Sequence, residues 1–559
     1  MAQIAPAELA EAVDGARLME QVRALSRWVK LSGTPGELEA VHHVEGVLRG
    51  FGYRTAILMH DALISLPGDA RVAVNGQAIR CITHSHARPS PQGGLKGELV
   101  YVGSGSAADF AKTDVTGRIA VIEGIAKPEQ TARASHAGAV GQIHIDPTEY
   151  PHEMCISPVW GSPSLETRAE LPKTVVVTIR QSDGAALRER LQRGEKLTAE
   201  IAAAVDTRWV KTPILTAELD APEPEPGSPF LLFSGHIDTW HYGVMDNGSA
   251  NATMMEVARL CAERRQAWRR GLRLCFWSGH SHGRYSGSTW YADSHWHELN
   301  ERCVAHVNVD STGGKGAVMV TKSGSAAELR ALAAEAVATY AGQTYGGRRV
   351  GRQGDESFWG VGIPAMFGSL SHQAPPADGS PDPLHLGWWW HTPEDLIDKI
   401  DEANLVRDTK IFAHVVWRLI ADAALPLDYS VYAADLLAEL ETSRPLAGDI
   451  PLDDVVAQTR RLAELAAATA SAPAARRNAA LLKVSRALVP IDSTKGDRFV
   501  HDPALPQSGW PTLDPLRRLA AMDANVPERP FAVVSALRAC NRVGHALREA
   551  NAVLEALRS

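Results

Sequence analysis

Residues 229–260 read PFLLFSGHIDTWHYGVMDNGSANATMMEVARL. The apolar run PFLLFS stops at Gly235 and is followed by His236 and Asp238. A turn-forming Met245-Asp246-Asn247-Gly248-Ser249 then opens a stretch with apolar residues at helical spacing from about Asn251. Strand, polar loop and helix in that order are one unit of an α/β fold. The same switch recurs at LRLCFWS (272–278), with a helix near Thr289, and at VAHVNV (304–309), with a helix near Ala326. IPAMFG (363–368) is a further strand, and a helix runs from Glu402 to about Ala423. Such alternation predicts a mainly parallel sheet covered by helices.

Outward from this region the character changes twice. Residues 1–60 read as helices and then a strand, with LMEQVRALSRWVKL and ELEAVHHVEGVLRGF separated by SGTPG. Over 97–205, GELVYVG and GRIAVIEG are strand-like, and QTARASHAGAVGQIHI and KTVVVTIRQSDGAALRERL each join a strand to a helix. This is a β-rich module inserted into a larger host. Residues 428–559 contain no convincing strand and read as long helices around a Pro-rich loop at 502–515. The fold class is therefore α/β: a mainly parallel (mixed) sheet sandwiched by helices, with an inserted β-rich domain and a C-terminal all-helical domain. The boundaries fall at 1–95 with 208–425, at 96–207 and at 426–559.

Composition is that of a globular protein of several domains: 559 residues, 45% hydrophobic and 22% charged. A net charge of −8 gives no reason to expect nucleic acid as a partner. No apolar run approaches the roughly 18 residues that span a bilayer, so no membrane partner is expected. The N-terminus, MAQIAPAELAEAVDGARLMEQ, reads as an amphipathic helix rather than a secretory signal. Six cysteines scattered without C-x-x-C spacing read as buried free thiols, which fits a cytoplasmic protein.

The unusual polar residues stand where the strands end, which is where α/β sheets bind ligands. His236 and Asp238 follow the first strand, His280 and His282 the second and Asp310 the third, while Asp246 and His391 precede helices. Singly, each has an ordinary explanation as a hydrogen-bonded polar residue or a turn. Together they predict that His236, Asp246, Asp310 and His391 converge on a divalent metal, since imidazole and carboxylate are its usual protein ligands. Asp238, two residues after His236, lies on the same side of an extended segment and is expected to accept the ligand imidazole's N–H.

GHIDTW, MDNGSANATMMEVARL, VNVDSTG and HTPEDLIDKID resemble the ordered signatures of the di-zinc aminopeptidases, in the branch of glutamate carboxypeptidase and the transferrin receptor. The resemblance implies that 96–207 is a protease-associated domain, on the strength of TVVVTIRQSDGAALRERL. It also implies that the C-terminal helices, with NAALLKVSRALVP and GDRFVHDPALP, form a homodimer. Two divalent transition-metal ions, zinc the expected identity, would be bridged by Asp246. His236 and Asp310 would complete one ion's ligands and His391 would serve the other. Asp246-Asn247 matches the family's often cis peptide bond.

The departure follows LRLCFWS. The family carries two adjacent glutamates there, a general base and a metal ligand, whereas this chain reads GHSHGRYSGST. Aligning through Gly279 and Gly283 puts His280 and Ser281 at those positions, and aligning through Gly287-Ser288-Thr289 puts Ser281 and His282 there. Two histidines permit one ligand and one base, with Asp355 and Glu356 the alternative acidic candidates for the base. The expected activity is hydrolysis of an amide bond in a small peptide or acylated amino acid by metal-activated water. The rival expectations are a catalytically inactive scaffold like the transferrin receptor and a hydrolase of a non-peptide amide. Trp388, Trp389 and Trp390 suggest either an apolar pocket wall or a packed structural cluster, and VHDPALPQSGWPTL lacks the Lys-Tyr pair of the glutamate-specific relatives.

Overall fold

The computed structural model describes residues 4–347, 352–379, 382–443 and 450–558. Its sheet is organised around β1 (Arg54–Val74), β2 (Leu95–Gly103), β3 (Ile119–Glu123), β4 (Gly141–Ile145), β5 (Val175–Ile179) and β6 (Thr198–Leu219). The series continues with β7 (Phe230–His236), β8 (Gly271–Trp277), β9 (Cys303–Asn308) and β10 (Ala365–Met366). β7 lies between β8 and β9, parallel to both, and β10 extends the parallel set beyond β9. Their apolar runs are explained by burial on both faces: β7, β8 and β9 are buried along their whole length. On one face α1 (Ala250–Glu263) and α3 (Glu402–Ala421) cover Leu231 and Phe233, and on the other α2 (Ser286–Ser294) covers Leu232, Cys275 and Trp277. The predicted sandwich is present, and it is mixed because β8 pairs antiparallel with β6.

β1 and β6, of 21 and 22 residues, form a ribbon from Arg54↔Glu218 to Val74↔Ala199 that serves both parts of the molecule. Leu215–Leu219 of β6 pair with β8, while Thr198–Ile201 pair with β2. β2 to β5 form a parallel set packed with the helix Gln181–Gln192 around Val121, Ile143, Val177 and Leu187. The expected boundary at 207/208 therefore falls inside one continuous strand, with no linker. Period-2 patterning is the same in both halves of such a strand, so the passage from host to insert leaves no mark in the sequence.

Beyond β10 the described residues contain helices and loops only, ending in α4 (Arg529–Glu555). At the other end, the expected N-terminal helix is two, Pro6–Glu11 and Gly15–Leu25, because the Asp14 carboxylate accepts from Ala16 and Arg17 N–H and starts the second. All six cysteines are free, five of them buried. No helix among the described residues is long and apolar enough to cross a membrane.

Phe233, fully buried with its ring 6.3 Å from that of Phe412, anchors α3 to the sheet. Phe233→Ala is expected to destabilise the sheet by about 3–5 kcal/mol, measured as a lowered denaturation midpoint.

Candidate metal centre

β7 delivers His236 at its carboxyl end. The His236 Nδ1 lies 2.8 Å from the main-chain oxygen of Asp238, to which it donates, leaving Nε2 to face 3.1 Å to Asp246 Oδ1 and 3.9 Å to Asp310 Oδ2. The other Asp246 oxygen, Oδ2, is 3.1 Å from His391 Nε2, and His391 Nδ1 is 2.7 Å from the Glu153 carbonyl. One carboxylate thus stands between two imidazoles, each held through its far nitrogen. The Asp238 prediction is corrected in one respect. Its carbonyl, not its carboxylate, holds His236, whose Nδ1 lies 3.8 Å from Oδ1. The carboxylate instead accepts from Ser32 Oγ (2.6 Å), Ser281 N (2.9 Å) and His280 N (3.2 Å), fixing the loop after β8.

Asp246 is itself positioned by Asp395, whose carboxylate oxygens accept from Met245 N (2.9 Å) and Asp246 N (3.0 Å). The Asp246–Asn247 peptide is cis, as the resemblance implies. The Asn247 side chain donates to the His236 and Val309 carbonyls and accepts from Ser311 N, so one amide ties the loops after β7 and β9 together.

After β8, Gly279 turns with φ +74°, and a Cβ there would lie 2.0 Å from Ser286 Oγ, so glycine is required. The turn sends the two histidines apart. His280 stacks on His236 with ring centres 3.7 Å apart and planes 8° apart. Its Nδ1 is 2.6 Å from Asp355 Oδ2, while Asp355 Oδ1 accepts from Ser288 Oγ. His282 lies with Nδ1 3.1 Å from Ser32 Oγ and its ring against Trp240, which also contacts His391. One donor atom each from His236, His280 and Asp310 lies within 4.8 Å of the others. Parallel stacking nevertheless decides against both imidazoles binding one ion: a nitrogen lone pair lies in its ring plane, and an ion in the plane of one ring is out of the plane of the other.

The electrostatics favour positive charge. Burial alone would lower the pKa of His236, yet the hydrogen bond and charge of Asp246, with Asp310 and Asp238, raise it to about 10. Burial pushes Asp246 up, but His236 and His391 override it and hold the carboxyl well below its usual range. Burial, reinforced by the neighbouring imidazoles, lowers His282 to about 3, so it is a neutral nitrogen donor. His236 Nε2 and Asp246 Oδ1, both buried, face only each other at 3.1 Å, and His282 Nε2 is buried without a hydrogen-bond partner. Orphaned donors of nitrogen and carboxylate type facing one another fit divalent zinc.

Sequence reasoning thus named six residues that the fold gathers: His236, Asp246, Asp310, His391, His280 and His282. Asp355 was named only as an alternative base and proves to be the His280 partner. Asp395, Glu153, His241 and Ser32 were missed. HTPED carries Asp395 in plain view, four residues after His391, and could have been read as a support for Asp246. No sequence signal marks Glu153.

Residues 216–416 match the family profile described as Peptidase family M28, a stretch that includes all six gathered residues but not Glu153. The probable glutamate carboxypeptidase VP8 of Zea mays is 24% identical over 511 residues, covering 78% of this chain and 70% of that protein. Among solved structures, a peptidase M28 precursor from Shewanella amazonensis SB2B is 20% identical with a TM-score of 0.59, covering 74% of this chain and 95% of that one. An aminopeptidase from Aneurinibacillus sp. strain AM-1 is 23% identical with a TM-score of 0.55, covering 74% and 96%. These two likenesses show a shared fold.

Asp395→Ala removes the acceptor of both the Met245 and Asp246 N–H groups. It is expected to weaken divalent-ion binding about 10- to 100-fold, measured by titration against a competing chelator.

Proposed function

We propose that this chain, whose residues 216–416 match the peptidase family M28 profile, is an exopeptidase that hydrolyses an amide bond of a small peptide or acylated amino acid. The observation that carries this is the Asp246 carboxylate, each oxygen 3.1 Å from a different imidazole, as a bridge between two ions requires. His236, Asp246 and Asp310 would hold one ion, and Asp246, His391 and His282 the other. Two bound divalent ions, zinc by donor type, would polarise the scissile carbonyl and make water a stronger nucleophile near neutral pH.

The division of labour between the two histidines follows from their surroundings. His280, out of the ligand plane of His236, takes the proton of the attacking water at Nε2 as the water oxygen bonds to the carbonyl carbon. Asp355 at Nδ1 holds the required tautomer and stabilises the imidazolium. The same proton then passes to the departing nitrogen as the C–N bond breaks. Beside Tyr285, whose ring is 4.9 Å from that of His280, opens a cavity of about 470 Å³ lined by Lys127, Met154, Trp160, Arg284, Arg352 and other residues. Three cationic side chains against one carboxylate, Glu129, leave the lining net positive beside two aromatic rings, which suits a substrate with an anionic group and an apolar part.

The inserted unit is read as a protease-associated domain and the C-terminal helices as a dimerisation module, in a cytoplasmic enzyme. Phe531, Val534 and Leu537 support the dimer: they are exposed at helical spacing on one face of α4.

Asp246→Ala is expected to lose most of both ions, measured by elemental analysis of the purified protein. His280→Ala should keep its ions and lower kcat about 10²- to 10⁴-fold on a panel of dipeptides and aminoacyl anilides. Unchanged turnover in that variant overturns the base assignment. Wild-type protein that holds two ions and cleaves nothing on the panel favours a binding role. Light scattering at micromolar concentration is expected to give the mass of a dimer, and a stable monomer counts against the helical module.

A further inference from the structure

The carboxylate missing after β8 has a counterpart elsewhere. Glu153 lies in the inserted unit, in the segment between β4 and β5. That segment is clasped to the HTPED loop from both sides. Glu153 N donates to the His391 carbonyl at 3.0 Å, and His391 Nδ1 donates back to the Glu153 carbonyl at 2.7 Å. The preceding His152 is wedged between Asp146, 2.9 Å from Nδ1, and the Trp388 carbonyl, 3.1 Å from Nε2.

This clamp aims the Glu153 carboxylate at two imidazoles. Its Oε1 lies 4.0 Å from His282 Nε2, and its Oε2 lies 3.4 Å from His241 Nε2. The side chain is only 14% exposed, and among the described residues no lysine or arginine pairs with it. A carboxylate so placed either meets a cation or holds its proton. His282 Nε2, fully buried and without a hydrogen-bond partner, faces the same space. A tetrahedral ion at the usual ligand distances of about 2.0–2.2 Å holds its donors about 3.4 Å apart, so the 4.0 Å between Oε1 and Nε2 must close by roughly half an ångström for one ion to take both.

We propose that Glu153 is a ligand of the second ion together with Asp246, His391 and His282, and that the inserted unit thereby completes the metal site. The proposal rests on the two-ion reading above. The carboxylate absent from the GHSH loop is returned by a segment outside the matched family region, with His282 beside it as a nitrogen donor. The second site then has two carboxylates and two imidazoles, the number and type that a four-coordinate zinc takes. His241, against the other carboxylate oxygen, is a positioning residue that steadies Glu153.

The test is ion stoichiometry by elemental analysis, with affinities from zinc titration against a chelator, on the full chain. Wild type should hold two ions. Glu153→Gln, which keeps the shape and removes the charge, should hold about one, with the second ion's affinity lowered about 10- to 100-fold and the first ion's unchanged. His282→Ala should give the same loss, and Glu153→Asp should restore part of the affinity. Circular dichroism establishes that each variant is folded. Glu153→Gln with two ions at wild-type affinity overturns the proposal and leaves the two-ion peptidase intact. A folded Glu153→Gln that loses both ions also overturns it, since the first site contains no part of the insert. Wild-type protein without ions overturns the peptidase reading itself and this proposal with it.

Discussion

A buried carboxylate must meet positive charge or donated hydrogen bonds, and at the centre of this molecule several share that requirement. Asp238, Asp246, Asp355 and Asp395, all buried, and the partly exposed Asp310 lie around one point beyond the ends of β7, β8 and β9. Leaving any one uncompensated costs several kcal/mol. The fold answers differently for each. Asp395 and Asp238 are satisfied by main-chain N–H groups, which makes them supports. Asp355 is satisfied by His280 and Ser288, which makes it an orienting group. Asp246 alone faces imidazole nitrogens from opposite sides, and the loops around it are arranged to keep that geometry.

The parts of this arrangement carried by local sequence were legible. Strand runs ending in G-H-x-D, V-N-V-D and G-H-S-H, and the M-D-N-G and H-T-P-E-D turns, each announce a polar group at a strand end or helix start. The register of β7 with β8 and β9 brings these together without needing any distant contact to be guessed. Legibility stops where chemistry depends on which atom of a residue is used. Alternation placed the Asp238 side chain beside His236 correctly, yet the carbonyl makes the bond and the carboxylate serves a loop 42 residues later. Assigning His280 and His282 likewise required the ring planes, which no spacing rule contains.

Long-range placement was the other blind spot. Glu153 sits in a stretch, PHEMC, whose composition suggests an ordinary loop, and its meaning comes from the clasp with His391, 238 residues away. Ser32 reaches Asp238 and His282 over comparable distances. The expected boundary of the insert at 207/208 falls inside the continuous strand β6 for a related reason. A strand that runs from the insert into the host within one sheet keeps its alternation, so the chain gives no local sign of where one unit ends.

That continuous ribbon also decides the order in which the molecule can assemble. Pairing Arg54 with Glu218 closes a loop of more than 160 residues, and every further rung of β1 on β6 closes one nearly as long. Such closures are entropically slow unless the intervening chain has already shortened the path. The insert does this. Its own strands, β2 to β5, are joined by connections of 15, 17 and 29 residues, all far shorter than the loop the ribbon closes, and their pairing draws the start of β6 towards the end of β1. The ribbon can then zip from Val74–Ala199 towards Arg54–Glu218, offering β8 an edge on which the rest of the sheet can build. On this topology the inserted unit shortens the path over which the host's ribbon closes.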